Sequence, residues 1–241
     1  MERIDWKKLA IAFFVAFAGF VLIVGDTYWW ETRNNAWLSV GCSLVAAALI
    51  SCLNVLLVDW VRERPIEKWK LEKIYATRSE KNMDSDPKLK ELQYRLDGVA
   101  FGLKSFRTKQ GVQVEDAMRR GVNVRLVTMD PDSRFVGQRE LEEKEASGQI
   151  RNTIMQLVEW ADALNRKGYK GCITVKGYSC MTLDFYWRMD NELYIGPYWY
   201  GWDSQQTVTY KFINGGRGFD LYTQYFDALW NDEKLMRKLT K

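Results

Sequence analysis

Residues 114–133 read VEDAMRRGVNVRLVTMDPDS. Val114 to Arg120 form a helical run, Gly121 stands where a left-handed cap would end it, and Val122, Val124 and Leu126 alternate along a strand that reaches Met129. Asp130-Pro131-Asp132-Ser133 closes the strand at its carboxyl end, the edge at which open α/β sheets bind ligands. Downstream, a charged helical stretch covers residues 138–145, and an amphipathic helix covers residues 150–165 and closes on Lys167-Gly168. Strands are expected over residues 172–175, 182–189, 192–196 and 206–213, with a turn at Asp190-Asn191. Gly215-Gly216-Arg217-Gly218 leads into a last helix with Phe219, Tyr222, Phe226 and Leu229 on one face.

Upstream, a helix is expected from Pro87 through Leu89, Leu92 and Leu96, opening an α/β domain over residues 88–241. Residues 79–87, SEKNMDSDP, are polar and rich in turn formers, and read as a linker. Pro65 breaks the helix before it, and Ile66, Trp69, Lys73 and Ile74 mark one side of a basic amphipathic stretch. Residues 62–87 therefore read as a connector that could lie on the inner leaflet of a membrane.

That reading follows from residues 1–61, which form a hairpin of two apolar helices, about 8–25 and 35–60. Residues 9–25 hold 17 positions without a charge and residues 34–58 hold 25, enough in each case to cross a hydrocarbon core about 30 Å thick. No small-residue cleavage site follows Val24, where Asp26, Tyr28, Trp29 and Trp30 come instead, so the first span reads as an anchor rather than a removed leader. Arg3, Lys7 and Lys8 precede the first span and Arg62, Arg64, Lys68, Lys70 and Lys73 follow the second, whereas the intervening loop holds only Arg33. Both termini are then expected in the cytoplasm of a multi-pass protein of the bacterial inner membrane. Trp6 and Trp60 fall at the inner aromatic belt and Trp29, Trp30 and Trp37 at the outer one. Ser39, Ser43, Ala47 and Ser51 recur every fourth residue, a stripe that suits close packing against the first helix or against a second copy of the hairpin.

Composition removes much chemistry. The chain has no histidine, which excludes Ser-His-Asp and Cys-His nucleophiles and imidazole acid–base work. No CxxC occurs among the 4 cysteines, so no metal or redox centre and no cofactor is expected. Residues 1–61 carry four Lys/Arg and five Asp/Glu, which leaves 31 against 26 beyond them. A surplus of five positive charges suits an anionic lipid surface or a phosphate-bearing ligand, and equally a plain solvated face.

The element order from residue 113 to 232 resembles one half of the phospholipase D-like fold. The resemblance rests on RRGVNVRLVTMDPDS, on the hairpin with Asp190-Asn191-Glu192 at its tip and Tyr194-Ile195-Gly196-Pro197 on its return, and on the final FDLYTQYFDALW helix. Members of that family attack phosphorus with the histidine of a His-x-Lys-x4-Asp motif. Here the matching hairpin runs from Met181 to Asp190; Asp190 keeps the place of the aspartate, while histidine and lysine are missing. The resemblance implies a mixed-sheet α/β domain that is catalytically dead yet retains a phosphate-suited shape.

Candidate ligand-binding residues are Arg119, Arg120, Arg125, Arg188 and Arg217 as cation donors, with Lys176 and Lys211 behind them, and Asp130 and Asp132 in the strand-end loop. Tyr198 and Trp199 lead the aromatics able to stack on bases, ahead of Tyr186, Trp187, Tyr194, Tyr200 and Trp202. Each has an ordinary structural alternative, as core packing, helix-end charge or turn. A two-helix anchor joined to a small cytoplasmic domain also resembles the two-helix membrane effectors of bacterial antiviral defence, in cyclic-oligonucleotide, type III CRISPR or retron systems. The expected function is an effector whose domain senses a nucleotide second messenger, a nucleic acid end or a protein trigger and which disrupts the membrane as a homo-oligomer. The alternatives are a membrane-anchored scaffold that docks a protein, and a histidine-independent phosphodiesterase using Asp130, Asp132, Asp184 and Asp190 around a divalent cation.

Overall fold

The structure, a computed structural model, describes residues 6–29, 35–55, 66–179 and 184–241. The chain divides into two compact units, Met1–Glu67 and Lys68–Lys241. In the first, α1 (Trp6–Val24) runs on through a π turn at Gly25–Trp29, and α2 (Asn35–Leu53) follows. Lys8–Tyr28 and Ala36–Leu53 are long and apolar enough to cross a membrane. The expected end of the second helix, residues 56–60, lies outside the described residues.

Glycine sets the approach of the two helices. A Cβ on Gly19 would stand 2.7 Å from the Gly41 carbonyl oxygen, and one on Gly41 would stand 2.7 Å from Ile23 Cγ1. Ala12 and Ala48 are buried on the same contact, while Phe13, Phe14, Phe17, Leu49 and Ile50 stay more than half exposed. An outward face that apolar calls for an apolar medium or a further helix. Ser39, Ser43, Ala47 and Ser51 are also exposed, because the contact with α1 runs along Gly41 and Ala48 instead. Of the two expected uses of the stripe, packing within the hairpin is the one the structure removes.

In the second unit, β1 (Leu71–Tyr75), β2 (Arg95–Val99), β3 (Asn123–Met129), β4 (Ile173–Tyr178), β5 (Phe185–Met189), β6 (Glu192–Gly196), β7 (Thr209–Ile213) and β8 (Met236–Lys238) form one mixed sheet in the order β1-β7-β6-β5-β2-β3-β4-β8. β2, β3 and β4 are parallel and the other pairings antiparallel. The helices are α3 (Arg78–Ser85), α4 (Lys104–Arg120), α5 (Arg134–Glu142), α6 (Gln149–Asn165) and α7 (Arg217–Trp230). Successive β3 residues Leu126 and Val127 are both fully buried and belong to different clusters, as a strand covered on both faces requires. Leu126 joins Val114, Met118, Leu157 and Ala161 of α4 and α6; Val127 joins Phe219, Phe226 and Leu229 of α7. Gly121 has φ 103° and ends α4 by donating to the Ala117 and Met118 carbonyls, so the expected cap and strand stand.

Two expectations are corrected. The compact unit starts at Lys68 rather than at residue 88: Leu71–Tyr75 pairs antiparallel with β7, and the supposed linker is α3, capped by Thr77, with Arg78, Lys81 and Ser85 buried. Hydrophobic periodicity misses this helix because its buried face is cationic. The helix expected from Pro87 to Leu96 is a 3-10 turn at Asp86–Glu91 followed by strand β2, although Leu89, Leu92 and Leu96 are all buried as core. The chain straightens because the Asp190 carboxylate accepts the backbone N–H groups of Gln93, Tyr94 and Arg95 at 2.8, 2.9 and 2.8 Å.

Asp190 thus ties the β5–β6 turn to the start of the parallel strands. Asp190→Ala leaves three N–H groups without their acceptor and is expected to cost about 3 kcal/mol of stability, with Asp190→Asn costing less. Urea unfolding of the full chain in detergent, followed by tryptophan fluorescence, measures the difference.

Candidate functional site

A cleft of about 1040 Å³ opens at the carboxyl end of β2. Residues 100–103 line it, α3 supplies Arg78, Lys81 and Asn82, the start of α4 supplies Lys104, Phe106 and Lys109, β5 supplies Phe185 and Trp187, and the segment between β6 and β7 supplies Tyr198 and Trp202. This is the edge at which parallel strands present ligand sites. Two of its basic residues, the buried Arg78 and Lys81, come from a helix that the sequence pattern hid.

The start of α3 is a capping box. Thr77 accepts from the Glu80 N–H, and the Glu80 carboxylate accepts from the Ala76 N–H. The spacing Thr77-Arg78-Ser79-Glu80 is the local signal by which the helix could have been found. Once formed, the helix turns Arg78 and Lys81 inward, 3% and 2% exposed. The Arg78 guanidinium lies 4.1 Å over the Phe185 ring and 4.7 Å over Tyr198, and donates to Thr207 Oγ1 at 3.0 Å and the Pro197 carbonyl at 3.4 Å. Its Nε has no partner. Lys81 Nζ lies 4.9 Å from the Tyr194 ring and 5.3 Å from those of Phe185 and Trp187, with one hydrogen bond, to Asn82 Oδ1 at 3.4 Å. Neither cation makes a salt bridge to a described carboxylate.

Burial without a counter-ion shifts both groups. It lowers Arg78 and brings Lys81 down to about 7, against the partial opposition of Asp86 and Asp84 and with the help of Arg78. Arg139 beside them shows the compensated alternative: equally buried, it is held by Glu142 at 3.0 Å and Glu143 at 2.5 Å while its guanidinium faces Phe101 and Tyr198. The Tyr198 phenol, between Arg78 and Arg139, is pushed up by burial. Two basic groups without a carboxylate partner, set among rings and open to a cleft, are chemically suited to an anion with an apolar or aromatic body.

The sequence candidates are dispersed. Tyr198 lines the cleft; Trp199 stands next to it, edge-on to Trp202 at 5.3 Å. Arg119 is held by Glu115 at 2.8 Å and Asp116 at 3.4 Å, and Arg120 donates to the Leu92 carbonyl, so both serve the end of α4. Asp130 and Asp132 are taken by Arg237 at 2.6 and 2.9 Å, with Arg151 also on Asp132, and Asp132 is held below the usual carboxylate range by those arginines. Arg217 lies over Trp69, 5.8 Å from the ring centre. Arg125 and Arg188 do meet, with Arg95, in a separate hollow of about 530 Å³ at the amino ends of β2 and β3. There Arg125 is neutralised by Asp97 at 2.7 Å and Asp227 at 2.9 Å. Among the described residues no group of three acidic or thiol side chains comes together to hold a metal ion.

Counting back from Asp190 through the His-x-Lys-x4-Asp spacing puts the lysine position at Phe185 and the histidine position at Leu183, which lies outside the described residues. Arg78 and Lys81 stand over the Phe185 ring.

No family model matches the chain, and no curated protein matches it. Solved structures superpose loosely. Phosphatidylserine synthase of Haemophilus influenzae is 8% identical over 70% of this chain and 39% of its own, with a TM-score of 0.46. Nuc of Salmonella typhimurium, a phospholipase D family member, is 11% identical over 66% of this chain and 91% of its own, at 0.43, and NucT from Helicobacter pylori is 8% identical over 66% and 94%, at 0.41. These likenesses assign neither family nor activity to this chain.

The Lys81 shift has a thermodynamic consequence. The folded amine titrates near pH 7 and the unfolded one near the ordinary lysine value, so between the two the unfolded state binds the extra proton. Stability is full above the unfolded value and falls, by up to about 1.4 kcal/mol per pH unit, as pH drops toward 7. Lys81→Met is expected to remove that slope and to be more stable than the parent at neutral pH, as urea titrations of the full chain at a series of pH values will show.

Proposed function

We propose that this chain is a membrane-anchored effector whose phospholipase D-like α/β unit works without catalysis, as a receptor for a phosphate-bearing ligand. The observation that carries the reading is the pair of buried cations, Arg78 and Lys81, without a carboxylate partner in an open cleft. Holding the Arg78 charge away from water without a carboxylate costs several kcal/mol, and an incoming phosphate relieves that cost and favours the protonated form of Lys81 beside it. The non-catalytic part of the reading is supported by Phe185 at the lysine spacing and by Asp190, whose carboxylate accepts three backbone N–H groups. Phe106, Trp187, Tyr198 and Trp202 give the organic body of the ligand its surface, as the base of a nucleotide second messenger or a nucleic acid end would need.

Arg78 lies 25 residues beyond Leu53, the end of α2, so the ligand acts on an element close in sequence to the anchor. In this reading occupancy fixes α3, the hairpins self-associate through the exposed stripe Ser39, Ser43, Ala47 and Ser51, and the bacterial inner membrane is breached as an antiphage response. A scaffold that docks a protein is the second reading, favoured by the exposed aromatics Trp199, Tyr200 and Trp202.

Titration of the full chain in detergent with pyrophosphate and with a short oligonucleotide is expected to show saturable binding. Arg78→Met should weaken it about tenfold, the loss of one charge-assisted contact, whereas Arg217→Met should leave it unchanged. In cells, ligand-dependent depolarisation should require residues 1–61. Absence of anion binding by the parent chain overturns the proposal; binding without any change in membrane potential favours the scaffold.

A further inference from the structure

Lys81 differs from the second buried lysine of the sheet. Lys211, 5% exposed, holds Glu72 at 2.5 Å and Glu192 at 2.8 Å, and these carboxylates keep its ammonium charged. Both lysines lie near the Tyr194 ring, at 5.9 Å for Lys211 and 4.9 Å for Lys81. Lys81 lacks the carboxylates, has the Arg78 cation one helical turn before it, and lines the cleft. An amine desolvated among rings and placed beside a second cation loses its proton near neutrality and gains a free lone pair. That is the setting in which a lysine amine acts as a nucleophile toward carbonyl compounds, whereas phosphate capture alone would be served better by a lysine that stays charged.

We propose that Lys81 forms an imine with an aldehyde or ketone whose phosphate is held by Arg78. The inference rests on the phosphate-receptor reading for its second half only. The Nζ lone pair attacks the carbonyl carbon, the π pair moves to oxygen, and a proton passes from nitrogen to that oxygen to give a carbinolamine. Loss of the hydroxyl with the remaining nitrogen proton, as water, leaves the C=N bond. One amine and one carbonyl give one imine and one water, with no oxidant or reductant consumed. Asn82, whose Oδ1 is the one hydrogen-bonding partner of Nζ among the described residues, is placed to orient the amine. The position of Lys81 near pH 7 supports the same assignment, because at about pH 7.5 it offers on the order of a thousand times more free amine than an ordinary lysine.

Pyridoxal 5′-phosphate supplies both groups and pyridoxal the aldehyde alone. The full chain in detergent is incubated with each at about pH 7.5, reduced with borohydride and mapped by peptide mass spectrometry. Lys81 is expected to carry adduct about tenfold above the buried Lys211 and the exposed Lys109, with the phosphorylated probe preferred. Arg78→Met should abolish the preference while pyridoxal still labels Lys81. Lys81→Arg should lose the adduct yet bind pyrophosphate, and thermal melts of both variants confirm that they fold. Labelling of Lys81 at or below the level of Lys109 overturns the imine. If the adduct forms but pyrophosphate does not bind the parent chain, the phosphate reading fails and the imine stands without it.

Discussion

The α/β unit is organised around a helix whose inward face is charged. Burying Arg78 and Lys81 takes two basic groups out of water, and what receives them is a set of aromatic faces, Phe185 and Trp187 of β5, Tyr194 of β6 and Tyr198 just beyond it. Ring quadrupoles offset part of the desolvation, about 2 kcal/mol for a buried contact at best, against a penalty of several kcal/mol for each ion. The balance is left open toward the cleft. α3 is therefore held by its capping box, by Tyr75 donating to Asp84 and by Lys88 bridging to Glu192 at 3.0 Å, contacts at its two ends that compensate for a middle that does not pay its way.

The same constraint explains what could be read from the residues and what could not. The run from Val114 to Met129 was legible because its signals are local: two arginines at a helix end, a glycine able to take φ 103°, and an apolar strand buried on both faces. The two apolar spans, the turn at Asp190-Asn191 and the last helix were legible for the same reason. α3 was not, since a pattern search asks which positions are apolar and its buried positions are Arg78, Lys81 and Ser85. β1 offered a single buried residue, Tyr75, and its strand character comes from pairing with β7, more than 130 residues away in sequence.

The candidate site failed in a different way. Arg125 and Asp130 carry the right functional groups in the right type of loop or strand, yet each finds its partner about a hundred residues on, Asp227 in one case and Arg237 in the other. Chemistry-bearing residues are spent by pairings that no local window contains. Tyr198 does line the cleft, because it follows directly on the return strand of a hairpin whose turn is marked locally by Asp190-Asn191. The residues that remain unspent are those the sequence disguised as linker, and an unspent buried charge is a stronger pointer to a ligand than an arginine beside a glycine.

Whether occupancy of the cleft can drive the hairpin is a question of magnitude. A ligand shifts a two-state equilibrium only by its difference in affinity for the two states, and moving a population from about 1:99 to 99:1 takes about 5.5 kcal/mol. One surface salt bridge, at about 1 kcal/mol or less, would not reach that figure. A cation already stripped of water, as Arg78 is, offers an anion a stronger contact than a surface pair does, and offers it only where α3 is folded against the sheet. The hairpin is suited to the other end of such a coupling. Its helices meet along Gly19 and Gly41, where any side chain would force them apart, and they leave the serine stripe of α2 uncovered. A small-residue face exposed in an apolar medium gains less from lipid contact than from close packing against a like face.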